Sequence, residues 1–230
     1  MIGRTVPRTL HAIVPVNVPS KSKLRLSHRL DVNERTSLTI SMLTNVLSAL
    51  RNAASVASVT VVCADCRVRS VVEKYGAEFL WEGRRRGLNG ALNFAIRRMW
   101  KHTPILIIHA DLPFLTSEDV DNLAIKARIH PLVFASSKDR TGTNAILMKT
   151  PNLITISFGR ESFQRHIMLA RKARIAYRTI KIYGVAFDVD DERDLDELIR
   201  QSGRIPPTTK ERIKNQTRKL LVLQELVESK

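Results

Sequence analysis

The stretch Ile105-Leu106-Ile107-Ile108-His109-Ala110-Asp111-Leu112-Pro113 decides the fold. Four consecutive apolar residues without polar alternation read as a strand buried on both faces, the kind found in parallel sheets covered by helices on either side. The run ends on an aspartate. In open α/β sheets, ligands bind outside the carboxyl ends of the strands, so Asp111 lies where chemistry collects. Pro113 limits the backbone just beyond it.

Upstream, the elements alternate. Leu10 to Val16 is an apolar strand. Glu34 to Arg51 carries Leu38, Met42, Val46, Leu47 and Leu50 at helical spacing, with Asp31 or Asn33 placed to cap it. A strand from Val59 to Cys63, a helix from Arg67 to Tyr75 stopped by Gly76, a strand from Glu78 to Trp81 and an amphipathic segment from Leu88 to Trp100 complete the alternation. Downstream the chain is denser in strands: Val133–Ser136, Asn144–Met148, Ala176–Ile180 and Val185–Asp188. Helices are predicted at Ser117–Ala127, Ser162–Ala173 and Glu192–Gln201. The class is α/β, with a mostly parallel central sheet and helices on both faces. Gly203 to Thr209 (GRIPPTT) reads as a linker, dividing residues 1–203 from a basic helical tail over 204–230. The tail carries Ile213, Leu220, Leu223 and Val227 on one stripe. It reads first as a helix packed by that stripe, and otherwise as an oligomer or nucleic-acid contact.

The chain has 230 residues, 43% of them apolar, enough for a core without disulfide or metal staples. The net charge of +16 favours anionic partners, nucleotides and nucleic acid alike. Aromatic residues make up only 5%, too few for the stacking platforms of single-strand binders. Three strand-end aspartates would also repel a phosphate backbone, so nucleic acid is not the expected partner. No run is long enough to span a membrane and no signal-peptide core is visible, which points to the cytoplasm. Cys63-x-x-Cys66 lacks a second ligand pair for zinc and reads as structural.

Candidate chemistry falls at strand ends. The loop after the first strand carries Lys21, Lys23 and Arg25, point charges and a fork suited to a triphosphate, or else an ordinary basic surface loop. It has no glycine, so it is not a Walker cradle. Asp111 suits magnesium, which takes one or two carboxylates plus phosphate oxygens and water; helix capping there falls better to Thr116 or Ser117. Asp188 and Asp190 follow an apolar run, and strand alternation would set them on one face, while Asp191 caps the next helix. Paired carboxylates need a cation between them, and the sequence shows no cationic partner for the three. Gly142-Thr143-Asn144, and Gly159 followed by Ser162 at a helix start, read as anion sites. Gly87-Leu88-Asn89 is weak alone, and His166 is packing unless it faces the anion pocket.

Together these segments resemble the CofC family, the 2-phospho-L-lactate guanylyltransferases of coenzyme F420 biosynthesis. The resemblance runs in order from Leu10 to Leu198. It rests on Val14-Pro15, Lys23-Leu24-Arg25-Leu26, Glu34-Arg35, Leu88-Asn89, Ala110-Asp111-Leu112-Pro113, Gly142-Thr143-Asn144-Ala145, Phe158-Gly159 with Ser162-Phe163 and His166, and Asp188-Val189-Asp190 with Asp194-Leu195. It implies a Rossmann-like, GT-A-type nucleotidyltransferase fold and transfer of GMP from GTP to a small phosphorylated acid. That acid is 2-phospho-L-lactate or an analogue such as phosphoenolpyruvate. By the same resemblance, Asp111, Asp188 and Asp190 would bind Mg²⁺, and Thr143, Gly159 and Ser162 would hold the acid. Lys23 and Arg25, with Lys21, would steady the triphosphate, with Asp111, Lys23 and Arg25 as the catalytic set. Leu88 and Asn89 would lie near guanosine, and a homodimer is compatible with the pattern. One departure is Asn17, where the family usually carries lysine; Lys21 is the substitute charge. A sugar-phosphate or molybdopterin nucleotidyltransferase would show a glycine-rich loop after the first strand, which is absent.

Overall fold

The stretch 105–108 forms a strand at the middle of a seven-stranded sheet, all four of its residues buried. The structure is a computed structural model that describes residues 8–84, 86–98 and 104–202; the linker and tail read from the sequence lie outside them. In chain order the elements are β1 (Leu10–Pro15), α1 (Val32–Asn52), β2 (Val56–Cys63), α2 (Arg69–Lys74), β3 (Glu78–Trp81), α3 (Gly87–Ile96), β4 (Ile105–Ile108), α4 (Ser117–Ile129), β5 (Leu132–Ser136), β6 (Thr143–Met148), α5 (Ser162–Lys172), β7 (Tyr177–Ile180), α6 (Tyr183–Ala186) and α7 (Glu192–Ser202).

The sheet order is β3-β2-β1-β4-β6-β5-β7. β1 pairs in parallel with both β2 and β4, β3 adds in parallel to β2, and β7 to β5. β6 alone runs against the others, antiparallel to β4 on one side and β5 on the other. Helices cover both faces. One core layer joins Leu43, Val46 and Leu50 of α1, Val72 of α2 and Val120 and Leu123 of α4 to the even-numbered residues of β4. The other joins Ala91, Leu92 and Ala95 of α3 and Phe163 and Ala170 of α5 to Ile105 and Ile107. A third cluster packs Leu26 and Leu30 against Leu38 and Met42 and against Phe187, Val189, Leu195 and Leu198, tying the loop after β1 to α7.

Local chemistry explains the helix starts. Asp31 caps α1, accepting from the N–H groups of Asn33 and Glu34, while Glu34 accepts from Asp31 N–H at 2.6 Å. Such a capping box is worth about 1 kcal/mol. Thr116 and Asp119 form the same device on α4, so Asp111 is not needed as a cap.

One predicted element is corrected. Val185–Asp188 is not a strand: Tyr183–Ala186 turns as a short helix and Phe187–Asp188 continues as loop. A four-residue apolar run does not distinguish strand from buried turn. Packing decides it. A Cβ at Gly184 would collide with Asp119 Oδ2 and meet the Phe114 carbonyl at 2.6 Å, and the carbonyls of Val185 and Ala186 accept from the Asn144 amide.

Candidate active site

The polar residues singled out above converge on one cavity of about 610 Å³ over the carboxyl ends of β1, β3 and β4. Lys21, Lys23, Arg25, Leu88, Asp111, Thr143, Gly159, Ser162, Asp188 and Asp190 all line it. Asn89 does not: its side chain grips the Phe158 backbone, donating to the carbonyl at 3.0 Å and accepting from the N–H at 2.8 Å. Its contribution is to hold the loop before Gly159.

The loop after β1 folds as two 3-10 turns, Pro19–Lys21 and Leu24–Leu26, with Lys23 between them in the left-handed region at φ 52°. Leu26 is fully buried and anchors the loop. Lys23 then points inward, donating to Asp111 Oδ2 at 2.6 Å and to Asp190 Oδ1 at 2.9 Å. Two carboxylates therefore do have a cationic partner, contrary to the sequence reading, and Lys23 lies between them. Burial opposes charge on Lys23, but Asp111 and Asp190 reverse this and hold it protonated well above the usual lysine range. Burial likewise works against the Asp111 carboxylate, and Lys23 with His109 keeps it below the ordinary range.

Asp111 leaves the β4 end in a loop whose Leu112 and Leu115 carbonyls accept from the Asn45 amide. His109, the residue after β4, donates its N–H to the Asn144 carbonyl on β6. Asp111 Oδ1 is buried without a hydrogen-bond partner. Asp188 sits in the loop after α6, so the shared face with Asp190 comes from the loop and not from strand alternation. Burial, then Asp111 and Asp190, push its carboxyl up to about 7. Asp191 caps α7 by accepting from the N–H groups of Arg193 and Asp194.

Among the described residues no three His, Cys, Asp or Glu side chains form a ready metal cage. Magnesium needs none, since it completes its shell with phosphate oxygens and water. A cluster in which one carboxylate oxygen is buried and unmet, and another carboxyl is pushed up by its neighbours, fits a divalent cation; the Lys23 ammonium satisfies it only in part.

The opposite wall is built on β6 and α5. Thr143 N–H donates to Ser162 Oγ at 3.0 Å. His166, fully buried, accepts from Ser157 N–H at Nε2, so its proton is on Nδ1 and is donated to Thr143 Oγ1 at 3.0 Å. Burial, aided by Arg165, lowers the His166 pKa to about 4 and keeps the ring neutral. His166 does not line the cavity. It orients Thr143, whose own hydroxyl proton is left for a ligand. Gly159, at φ 126°, turns the chain into Ser162 and the start of α5, where Ser162 N–H donates to the Gly159 carbonyl and Phe163 N–H to the Thr141 carbonyl. Sequence reasoning missed Glu82, which lines the same cavity just past the end of β3. The strand-end rule that picked Asp111 applies equally to it.

Cys63 and Cys66 are free thiols, the first buried and pushed up to about 11, mainly by burial. Among the described residues no helix is long and apolar enough to cross a membrane.

A family model described as "Guanylyl transferase CofC like" matches residues 10–214, most of the chain. The chain belongs to this family. A phosphoenolpyruvate guanylyltransferase of Sphaerobacter thermophilus is 36% identical over 193 residues, covering 83% of this chain and 92% of that protein. A 2-phospho-L-lactate guanylyltransferase of Methanocaldococcus vulcanius is 29% identical over 186 residues, 81% of this chain and 82% of that one. Among solved structures, a nucleotide-diphospho-sugar transferase of Desulfovibrio desulfuricans G20 superposes with a TM-score of 0.68 at 15% identity, covering 85% of this chain and 88% of that one. A Mycobacterium tuberculosis protein solved in complex with manganese superposes at 0.53, with 16% identity over 85% of this chain and 100% of that one. The CofC-like chain thus has the nucleotidyltransferase fold, and residues from most of its family motifs line one cavity.

Proposed function

We propose that this protein transfers a guanylyl group from GTP to a small phosphorylated acid, releasing pyrophosphate, in coenzyme F420 biosynthesis. The observation that carries the proposal is the Asp111–Asp188–Asp190 carboxylate group, set between the basic loop of Lys21 and Arg25 and the anion wall of Thr143, Gly159 and Ser162. Phosphoenolpyruvate is the first acid to try, because five relatives at 32–36% identity are named for it, against 28–33% for three named for 2-phospho-L-lactate. 2-phospho-L-lactate is the second.

The acceptor phosphate is already a nucleophile and needs no general base. Its oxygen forms a bond to the α-phosphorus of GTP while the bond from that phosphorus to the α–β bridging oxygen breaks. Catalysis reduces to aligning two polyanions and offsetting their repulsion. Lys21 and Arg25 hold the triphosphate, and the Thr143 hydroxyl, oriented by His166, holds the acid together with Gly159 and the Ser162 hydroxyl. Asp111, Asp188 and Asp190 would hold Mg²⁺, which supplies charge stabilisation worth several kcal/mol. A cytoplasmic location and a homodimer belong to the same reading; light scattering on a sizing column checks the latter.

The test is incubation with GTP, Mg²⁺ and each of phosphoenolpyruvate, 2-phospho-L-lactate and 3-phosphoglycerate, reading pyrophosphate. One acid should give acid-dependent release that Asp111→Asn abolishes. No release with any acid would sink the proposal.

A further inference from the structure

The reaction above leaves one buried charged residue of the cavity without a task. Glu82 lines the pocket and is 4% exposed. Its main chain is fixed on both sides: its N–H donates to the Cys63 carbonyl, continuing the β2–β3 ladder, and its carbonyl accepts from Arg84 N–H at 2.8 Å and from Arg86 Nε at 3.4 Å. The carboxyl end of β3 is the far side of the pocket from the aspartates. In the sheet order, β2 and β1 lie between β3 and β4. Three strand spacings of about 4.8 Å make that separation about 14 Å. An extended nucleotide whose α-phosphate lies at the aspartates, with its other phosphates along the loop after β1, brings its base to the β3 end. The wall beside it includes Leu88, an exposed apolar side chain at the start of α3, and Gly87 at φ 69°, which has nothing within 4 Å of where a Cβ would be. A buried carboxylate beside an apolar wall suits a base that offers donors, and it repels a phosphate.

We propose that Glu82 is the residue that selects guanine, its carboxylate accepting from N1–H and from the 2-amino group on the Watson–Crick edge. Guanine alone among the common bases presents two adjacent donors there. Adenine and cytosine offer a ring nitrogen lone pair, which a carboxylate repels, and uracil offers a single donor. The proposal rests on the guanylyl-transfer reading for the nucleotide's direction in the pocket and gives its base preference a physical cause. Hydrogen bonds to a charged group are strong enough that losing one costs about ten- to a hundredfold in affinity.

The test is calorimetric binding of GTP, ITP and ATP to the wild type and to Glu82→Gln; ITP lacks only the 2-amino group. The wild type should bind GTP at least about tenfold tighter than ITP, with ATP weaker still. Glu82→Gln should weaken GTP more than ITP, so that the ratio falls towards one, and should leave the KM for the acid unchanged. Equal wild-type affinity for GTP and ITP overturns the proposal, as does a variant that weakens both nucleotides equally, the mark of a structural acid. Should Glu82→Gln not fold, the wild-type series and Glu82→Asp decide it by the same ratio. GTP preference without pyrophosphate release from any acid would overturn the transfer reading and leave Glu82 standing. Release from GTP and ITP alike would overturn Glu82 alone.

Discussion

Replacing Asp188 by Asn keeps the shape of the side chain and removes a carboxyl that burial, Asp111 and Asp190 push up from 3.8 to about 7. The folded form binds this proton more tightly than the unfolded chain. The group therefore costs nothing below about pH 3.8, and its penalty grows as pH rises, reaching its full value above about pH 7. A shift of about 3 units at about 1.4 kcal/mol each sets a ceiling of about 4 kcal/mol. Residual solvent access and local relaxation bring the working estimate to about 1–2 kcal/mol. For a chain of this size that is about 2–8 °C in melting temperature. In EDTA at about pH 8, Asp188→Asn should therefore melt above the wild type, with about a third of the gain left at about pH 5. With Mg²⁺ and substrates, the same variant should lose orders of magnitude in turnover. Scanning calorimetry at the two pH values reads the first effect, pyrophosphate release the second. A variant that melts at or below the wild type at pH 8 would refute the reasoning, because neither burial nor the neighbouring carboxylates would then penalise the charge on Asp188.

Lys23→Met should tighten Mn²⁺ binding about tenfold without nucleotide, since the ammonium between Asp111 and Asp190 competes for the same charge, and should still slow turnover. Weaker binding by calorimetry would place the ion elsewhere. His166, held at about 4, must stay neutral to accept from Ser157 N–H. Its depressed pKa makes its contribution complete above about pH 6.5 and lost as pH falls towards 4, by up to about 3 kcal/mol. Because Asp188 acts with the opposite sign in that window, the slope is best measured in the Asp188→Asn background, where His166→Gln should flatten it. Ser162→Ala removes the acceptor of Thr143 N–H and should raise the KM for the acid about tenfold while sparing that for GTP. Varying each substrate in turn checks the split, and a selective loss of GTP binding would invert the two half-sites.

The alternation up to Ile108 was legible because fully buried parallel strands and amphipathic helices have different apolar periods, and the Asp31 cap marks the start of α1 in the sequence itself. The reversed direction of β6 was not legible. Its six residues are all buried, and a continuous apolar run carries no mark of orientation. Asp111 could be found as a strand-end carboxylate. Its pairing with Lys23 spans 88 residues and that of Lys23 with Asp190 spans 167, contacts that no local pattern encodes. Helical spacing alone would have left His166 a packing residue; its bond to Thr143 depends on β6 lying beside α5. Val185 to Asp188 was misread as a strand because a four-residue apolar run looks the same in a strand and in a buried turn.

The reversal of β6 has a consequence for how acceptor choice can change. Because β6 is antiparallel to β4, with Ile108 opposite Ala145, the exit of one strand and the entry of the other meet at the same edge of the sheet. On the proposed assignment the nucleotide half-site draws on segments from Pro15 to Asp111 and the acid half-site on Thr143 to Ser162, all lining one cavity. The two touch through the β4–β6 ladder, whose hydrogen bonds are between main chains and indifferent to side-chain identity. On that assignment, substitutions in the loop from Ser157 to Glu161 should alter which acid is accepted without moving the triphosphate. A fold so divided lets lineages exchange one three-carbon acid for another while the donor machinery stays fixed.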